Sequence, residues 1–280
     1  MTTSVLVPSS LVREAEDRRE ATRKIGYVAR AATIFDVDRL TVFPDPDGAG
    51  KWEDGFVRTV LRYAATPPYL RKEAWGKRDE LEYVGVLPPL RVRSQTGSGS
   101  EGSGSLRQGI VTEVGADGRV RVNCGLQHPA SLPVPDGMDV GEGERVTVRV
   151  SSRRPVRAKL VDVTPPGYVV DASDVSTALA RDDAGLTIAA SRHGVHLTVT
   201  RLGDLVGRRE ADGDMTVVFG APERGLPAIL GLDPDDVCGD HADDDTGFDL
   251  WLNTVPNQGS EVVRTEEAMF ASLAPLTLTE

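Results

Sequence analysis

Phe248-Asp249-Leu250-Trp251-Leu252-Asn253-Thr254-Val255-Pro256-Asn257-Gln258-Gly259-Ser260 runs directly into Glu261-Val262-Val263-Arg264-Thr265-Glu266-Glu267-Ala268-Met269-Phe270-Ala271-Ser272-Leu273-Ala274-Pro275-Leu276. Phe248–Leu252 is apolar at every position but Asp249, which predicts a short buried strand. Ala268, Met269, Leu273 and Leu276 recur at helical spacing. Thr265 is read as the N-cap of that helix, with Glu266 and Glu267 favourable in its first turn. The stretch between, Asn253 to Ser260, carries more polar, Gly and Pro positions than a plain turn needs. In an open α/β sheet, ligands bind outside the carboxyl ends of the strands, so a strand leading into such a loop is a candidate ligand site.

Working outward, Met215–Phe219 reads as another buried strand and opens into Gly220-Ala221-Pro222-Glu223-Arg224-Gly225-Leu226. Glycines there let backbone amides approach a ligand, though a tight strand-to-helix turn has the same appearance. Leu186–Ala189 is a third buried strand, followed by Ser191-Arg192-His193-Gly194. Near the N-terminus, strands at Ser4–Val7 and Leu40–Phe43 alternate with helices over Leu11–Phe35 and Phe56–Ala65, the latter stopped by Thr66-Pro67-Pro68. Gly167–Val170 adds a strand and Asp174–Ala180 a helix. Alternation of this kind predicts an α/β fold with a parallel sheet.

The pattern breaks in the middle. Residues 93–105 include a Gly/Ser tract and read as a flexible linker. From Leu106 the texture becomes all-β: Gly109–Val114, an Ala116-Asp117-Gly118 turn, Arg119–Val122, Arg145–Val150 and Ala158–Val161. Short strands with Gly-rich turns predict a small β-barrel, OB-like, inserted over residues 106–165. The α/β domain then comprises residues 1–92 and 166–280.

Among the 280 residues the net charge is −11, and 39% are hydrophobic. No apolar run is long enough to span a bilayer, and the first residues lack the pattern of a signal peptide. Cys124 and Cys238 form neither a metal-type pair nor a disulfide framework, so no metal site is expected. These features point to a cytoplasmic protein without a membrane partner. An overall acidic chain does not attract nucleic acid through its total charge. The acid is concentrated, however: residues 211–250 hold eleven acidic and one basic side chain, whereas the first 166 residues are slightly basic. Lysine is confined to five positions, Lys24, Lys51, Lys72, Lys77 and Lys159. Abundant Asp with scarce Lys suits a salty cytoplasm, in which salt screens carboxylate repulsion.

The two loops, their spacing and the closing Arg264-Thr265-Glu266-Glu267-Ala268 helix start resemble the trefoil-knot segment of SPOUT (α/β-knot) methyltransferases. The whole chain is similar to the branch with an inserted OB-like domain, through Val5-Leu6-Val7-Pro8, Leu87-Pro88-Pro89-Leu90, Gly109-Ile110-Val111, Val122-Asn123-Cys124-Gly125 and Gly167-Tyr168. That branch includes archaeal proteins and eukaryotic relatives linked to uridine methylation of large-subunit ribosomal RNA. The resemblance implies S-adenosylmethionine held at Gly220, Glu223, Gly225 and Leu226 in the first loop. It implies the same role for Leu252, Asn253, Pro256, Gln258, Gly259 and Ser260 in the second. Ala221-Pro222 lengthens the first loop relative to the simplest Gly-x-Glu version.

For the acceptor side, Arg192 suits a phosphate or developing negative charge, and Arg264 and Glu266 suit substrate positioning. Helix-terminal ion pairing explains the latter two equally well. His193 is a candidate by residue type, but it reads as an exposed loop residue. Arg145, Arg149, Arg153, Arg154, Arg157 and Lys159 on the expected barrel are the candidate RNA contacts. Scarce aromatics there favour phosphate and shape recognition over base stacking. The expected activity is S-adenosylmethionine-dependent methylation of an RNA base, a homodimer being the family habit. Ribose 2′-hydroxyl methylation, and a non-catalytic RNA-binding or ribosome-assembly role that keeps the knot, stay open as alternatives.

Overall fold

Thr3–Pro8 and Met215–Phe219 are buried at every position. Strands covered on both faces read this way when they lie inside a parallel sheet. The computed structural model describes residues 1–48, 51–52, 55–92, 105–153, 155–237 and 247–279. Arg154, residues 93–104 of the expected linker, and the stretch of the acidic block containing Cys238 lie outside the described residues. In chain order the elements are β1 (Thr3–Pro8), α1 (Arg18–Ile34), β2 (Arg39–Phe43), α2 (Phe56–Ala65), α3 (Arg71–Ala74) and β3 (Ser105–Val114). Then come β4 (Arg119–Asn123), β5 (Ala130–Pro133), β6 (Arg145–Arg153), β7 (Val156–Val161), β8 (Val169–Ala172) and α4 (Val175–Leu179). The chain continues through β9 (Leu186–His196), α5 (Val199–Asp212), β10 (Met215–Phe219), α6 (Leu226–Leu230), β11 (Leu250–Asn253) and α7 (Thr265–Leu276).

Two compact units result. The first comprises Met1–Ala65, Asp79–Leu90 and Tyr168–Glu280; the second comprises Thr66–Arg78 and Arg91–Gly167. The first unit is built on a six-stranded sheet in the order β11-β9-β10-β1-β2-β8, every neighbouring pair parallel. Its carboxyl edge therefore gathers the loops that follow β1, β2, β9, β10 and β11. Leu6, Phe43, Ala189, Val218, Phe248 and Trp251 form one continuous apolar cluster in this unit.

The second unit is a five-stranded antiparallel sheet in the order β5-β4-β3-β6-β7. It curls until β5 approaches β7, nearly closing into a barrel. β4 shows why: Arg119 and Arg121 are exposed, while Val120 and Val122 are buried with Val111, Val146, Val148 and Leu160. Each fully buried aliphatic side chain of this kind contributes about 1.5–3 kcal/mol. Among the described residues no helix is long and apolar enough to cross a membrane.

Two local expectations are corrected. Helix α1 begins at Arg18, not Leu11, because Asp17 caps it by accepting from the Glu20 amide at 2.7 Å. Leu11, Val12 and Ala15 are buried without being helical. The N-cap of α7 is Arg264, and Thr265 is the first helical residue.

The sheet is irregular where β9 meets β11. Leu250 and Trp251 pair with Ile188 and Ala189, but the next residues, Leu252 and Asn253, pair with Val195 and His196. The intervening Ala190–Gly194 segment thus leaves the β11 ladder and carries Ser191, Arg192 and His193 outward. Gly194 closes this excursion. A Cβ there would lie 2.5 Å from the Leu252 nitrogen and 2.6 Å from the Trp251 oxygen. Overpacking of this kind costs about 1–3 kcal/mol. Gly194→Ala is therefore expected to lower the urea midpoint by that amount of stability while leaving the denaturant slope unchanged. A variant as stable as the parent would show that this backbone approach is not tight.

Candidate active site

A cavity of about 270 Å³ opens at the carboxyl edge of the parallel sheet, lined by residues of the first unit only. That is just below the usual range for small-molecule sites, roughly 300–1,000 Å³. Three chain segments make it: the Ala190–His193 excursion, the Gly220–Ala228 loop and helix start, and the loop from Leu252 into α7. Leu226, Leu252, Phe219, Val255 and Ala268 supply apolar wall, while Glu223 and Glu261 bring carboxylates to the lining.

The first loop is tightly constructed. Ala221 and Arg224 exchange backbone hydrogen bonds of 3.0 and 3.2 Å, closing a turn with Pro222 and Glu223 at its centre. Glu223 adopts φ +59°, a left-handed conformation unusual for a side chain of this kind. At Gly220 a Cβ would stand 2.6 Å from the Leu226 nitrogen, so only glycine permits the loop to fold back so closely. The Gly220 carbonyl accepts from Thr265 Oγ1 at 2.8 Å, which ties this loop to the start of α7.

Behind the loop lies Asp45, whose side chain is wholly buried. Arg224 Nε donates to its two oxygens at 3.1 and 3.2 Å, Ser10 Oγ donates at 2.6 Å, and the Gly48 amide donates at 3.1 Å. Sequence reasoning missed this group entirely.

The second loop is stitched by its own side chains. Asn253 is buried; its Nδ2 donates to the Arg192 carbonyl at 3.0 Å and its Oδ1 accepts from the Val255 amide at 2.9 Å. Gln258 Nε2 donates to the Ser260 and Glu261 carbonyls, and Ser260 Oγ donates to the Val262 carbonyl at 2.8 Å. Thr254 Oγ1 and Ser272 Oγ are 2.8 Å apart, bonding the loop to the second turn of α7.

Of the expected cofactor residues, Gly220, Glu223, Gly225, Leu226, Leu252, Asn253 and Gln258 line the cavity, whereas Pro256, Gly259 and Ser260 do not. Arg192 lines it too, exposed, with its Nε 3.3 Å from His193 Nε2. Half-buried His193 and Ser191 join it, and the Ser191 hydroxyl accepts from the His193 amide at 3.2 Å. Thr265 and Ser272 also line the cavity; the helical pattern gave no sign of that.

Arg264 and Glu266 stand outside the lining. Arg264 pairs with Glu14 at 3.3 Å and Glu267 at 3.8 Å, and Glu14 also binds the buried Lys24 at 2.7 Å. Glu266 is buried, and its Oε2 has no hydrogen-bond partner. Burial pushes its carboxyl above the usual range and the neighbouring Glu267 charge adds to this, while Lys24 and Arg264 oppose it. Among the described residues no group of three or more His, Cys, Asp or Glu could hold a metal ion.

In the second unit, Arg149, Arg157 and Lys159 line a separate cavity and Arg145 does not. The Arg153 side chain and Arg154 lie outside the described residues.

This geometry can be set beside known proteins. The sequence profile of the family described as "Putative RNA methyltransferase" matches residues 2–276. An uncharacterized protein of Haloarcula marismortui is 80% identical over the full length of both chains. The 28S rRNA (uridine-N(3))-methyltransferases of Mus musculus and Homo sapiens are each 31% identical over 98% of this chain, covering 76% and 77% of their own lengths. Matched almost from end to end by that profile, the chain belongs to this family of RNA methyltransferases.

Proposed function

We propose that the protein transfers a methyl group from S-adenosylmethionine to the ring nitrogen N3 of a uridine in large-subunit ribosomal RNA. The observation that carries this reading is the near full-length likeness to enzymes named for that reaction. The cavity chemistry supports it: apolar walls suit an adenine, and the fold-back at Gly220 leaves a backbone cradle at a strand end. When bound, S-adenosylmethionine supplies an electrophilic methyl whose carbon–sulfur bond breaks as N3 takes the carbon, sulfur leaving as a neutral thioether.

The protein's task is then alignment and charge management, and alignment alone accounts for much of the rate in reactions of this type. The N3 proton must first pass to solvent water, which leaves the N3 electron pair and negative charge on the uracil ring. Arg192 is assigned to hold that charge, its guanidinium reaching the cavity from the Ala190–Gly194 excursion. Arg192 Nε donates to His193 Nε2 at 3.3 Å in this geometry. His193 is accordingly assigned to orient Arg192. Gly220, Glu223, Gly225, Leu226, Leu252, Asn253 and Gln258 are assigned to the cofactor, with Pro256, Gly259 and Ser260 shaping the second loop from behind. Arg264 and Glu266 are assigned as positioning residues that set the start of α7.

The finer architecture belongs to the same proposal: a trefoil knot through the two loops, an OB-type barrel inserted over 106–165, a homodimer, and a cytoplasmic setting. The parallel sheet with both loops on one edge supports the first, and the nearly closed five-stranded sheet supports the second. The acid surplus is assigned to salt adaptation, in keeping with the Haloarcula relative.

Calorimetry tests the cofactor site. The parent protein is expected to bind S-adenosylmethionine, and Gly220→Ala to bind at least about tenfold more weakly, since one lost contact of about 1.4 kcal/mol suffices. Absence of binding at millimolar ligand would remove the enzyme reading. Mass spectrometry of ribosomal RNA from a deletion strain is expected to lack one N3-methyluridine; a complete set of methyl groups would exclude the target.

Glu266 offers a pH test. Its carboxyl ionises more readily in the unfolded chain than in the folded one, so its burial costs stability as pH rises above the ordinary carboxylate range and nothing below it. Glu266→Gln is expected to raise the melting temperature near neutral pH by about 2–4 °C and to gain nothing near pH ~4. Equal gains at both values would contradict a charged, buried carboxylate.

A further inference from the structure

The second unit contains a cavity that methyl transfer does not use. It has a volume of about 1060 Å³ and lies between β5 and β7, the two edge strands of the antiparallel sheet. Arg107, Arg149, Arg157, Lys159 and His128 line it, and no carboxylate stands among its described lining residues. Four permanent cations around one recess are unexpected in a chain of net charge −11.

The arrangement is also costly in the absence of a ligand. Arg149 and Lys159 are directly opposed in the β6–β7 ladder, and like charges facing across strands destabilise a sheet. Arg149 Nε is buried without a hydrogen-bond partner. Arg107, by contrast, is held in place by the Cys124 and Gly125 carbonyls at 3.2 and 3.4 Å. A bound anion would relieve the repulsion and satisfy the buried donor together.

We propose that this recess is a phosphate-binding groove for a single-stranded stretch of the RNA substrate, gripped by Arg149, Arg157 and Lys159 together with Arg107. The proposal rests on the reading of RNA as substrate. A cationic gap between two strand edges suits one extended backbone, as in other barrel-type sheets that track single strands. The lining includes no Phe, Tyr or Trp, so bases have no stacking platform and recognition falls on the phosphates.

Fluorescence anisotropy of a short labelled oligouridylate, titrated with the full chain over a range of potassium chloride, tests this. Each phosphate contact on a single strand contributes about 0.7 to the slope of log affinity against log salt. The triple substitution Arg149→Gln, Arg157→Gln, Lys159→Gln is expected to reduce that slope by about 2 and the affinity at least about tenfold. Calorimetric binding of S-adenosylmethionine is expected to stay unchanged. If the triple variant does not fold, Lys159→Gln alone, at an exposed position, is expected to reduce the slope by about 0.7. It is also expected to melt no lower than the parent, because it removes the cross-strand repulsion. An unchanged slope in the folded variant overturns the groove. So does polyglutamate binding as tightly as the RNA, which would assign the recess to an acidic protein. Cofactor calorimetry reports on the methyl-transfer reading separately, so the two failures are distinguishable.

Discussion

The carboxylate of Asp45 ties together three of the loops that leave the carboxyl edge of the parallel sheet. Ser10 follows β1, Asp45 itself and Gly48 follow β2, and Arg224 follows β10. Taking an ion out of water costs several kcal/mol, and removing one partner of a buried pair typically costs about 3–5 kcal/mol. The Gly220–Gly225 loop therefore cannot drift from β2 without stranding a buried charge. That restraint explains how Glu223 persists in a left-handed conformation, since backbone strain survives where the surroundings over-determine it. Gly48 is part of the same constraint: a Cβ there would stand 1.9 Å from an Asp45 oxygen.

This centre of the structure was illegible in the sequence. Pro44-Asp45-Pro46-Asp47-Gly48 has the composition of an exposed turn, and nothing local distinguishes a buried Asp from a solvated one. Its partner Arg224 is 179 residues away. The β-strands were readable because their burial imposes a pattern on neighbouring residues: apolar runs at Val5–Val7 in β1 and Val217–Phe219 in β10, alternation in β4. The Asp117-Gly118 turn was readable for a similar reason, Gly118 sitting at φ +71°. Periodicity failed where burial and helix part company. Leu11, Val12 and Ala15 carry a core-facing pattern in a non-helical segment, and Asp17, as a competent cap, decides where α1 begins.

The candidate site was legible in proportion to its glycine content and its excess of polar residues. The Asn253–Ser260 stretch stood out because a plain turn needs fewer polar, Gly and Pro residues, whereas Gly220 and Gly225 alone read equally as a tight strand-to-helix turn. Arg192 on β9 stood out by its motif, but the way the strand delivers it to the cavity did not. Gly194 looks like a loop glycine, and its purpose appears only when Trp251 and Leu252 are seen pressed against it. Thr265 was read as a cap on local grounds, yet its hydroxyl is given to Gly220, a contact set by tertiary structure.

These bonds also determine how rigid the cavity is before any ligand arrives. α7 grips the first loop through Thr265 and the second through Thr254 and Ser272, while Asn253 fastens the second loop to the Arg192 carbonyl. The segment from Leu252 into α7 is thus joined by side-chain hydrogen bonds to each of the other two, and Asp45 anchors the Gly220 loop from behind. A site held in this way has already lost the conformational freedom that ligand binding would otherwise cost. The exposed end of the Arg192 side chain is the part least restrained, since its side-chain contact among the described residues is the long one to His193. The remaining adaptability of the cavity therefore lies at this guanidinium and not in the two loops.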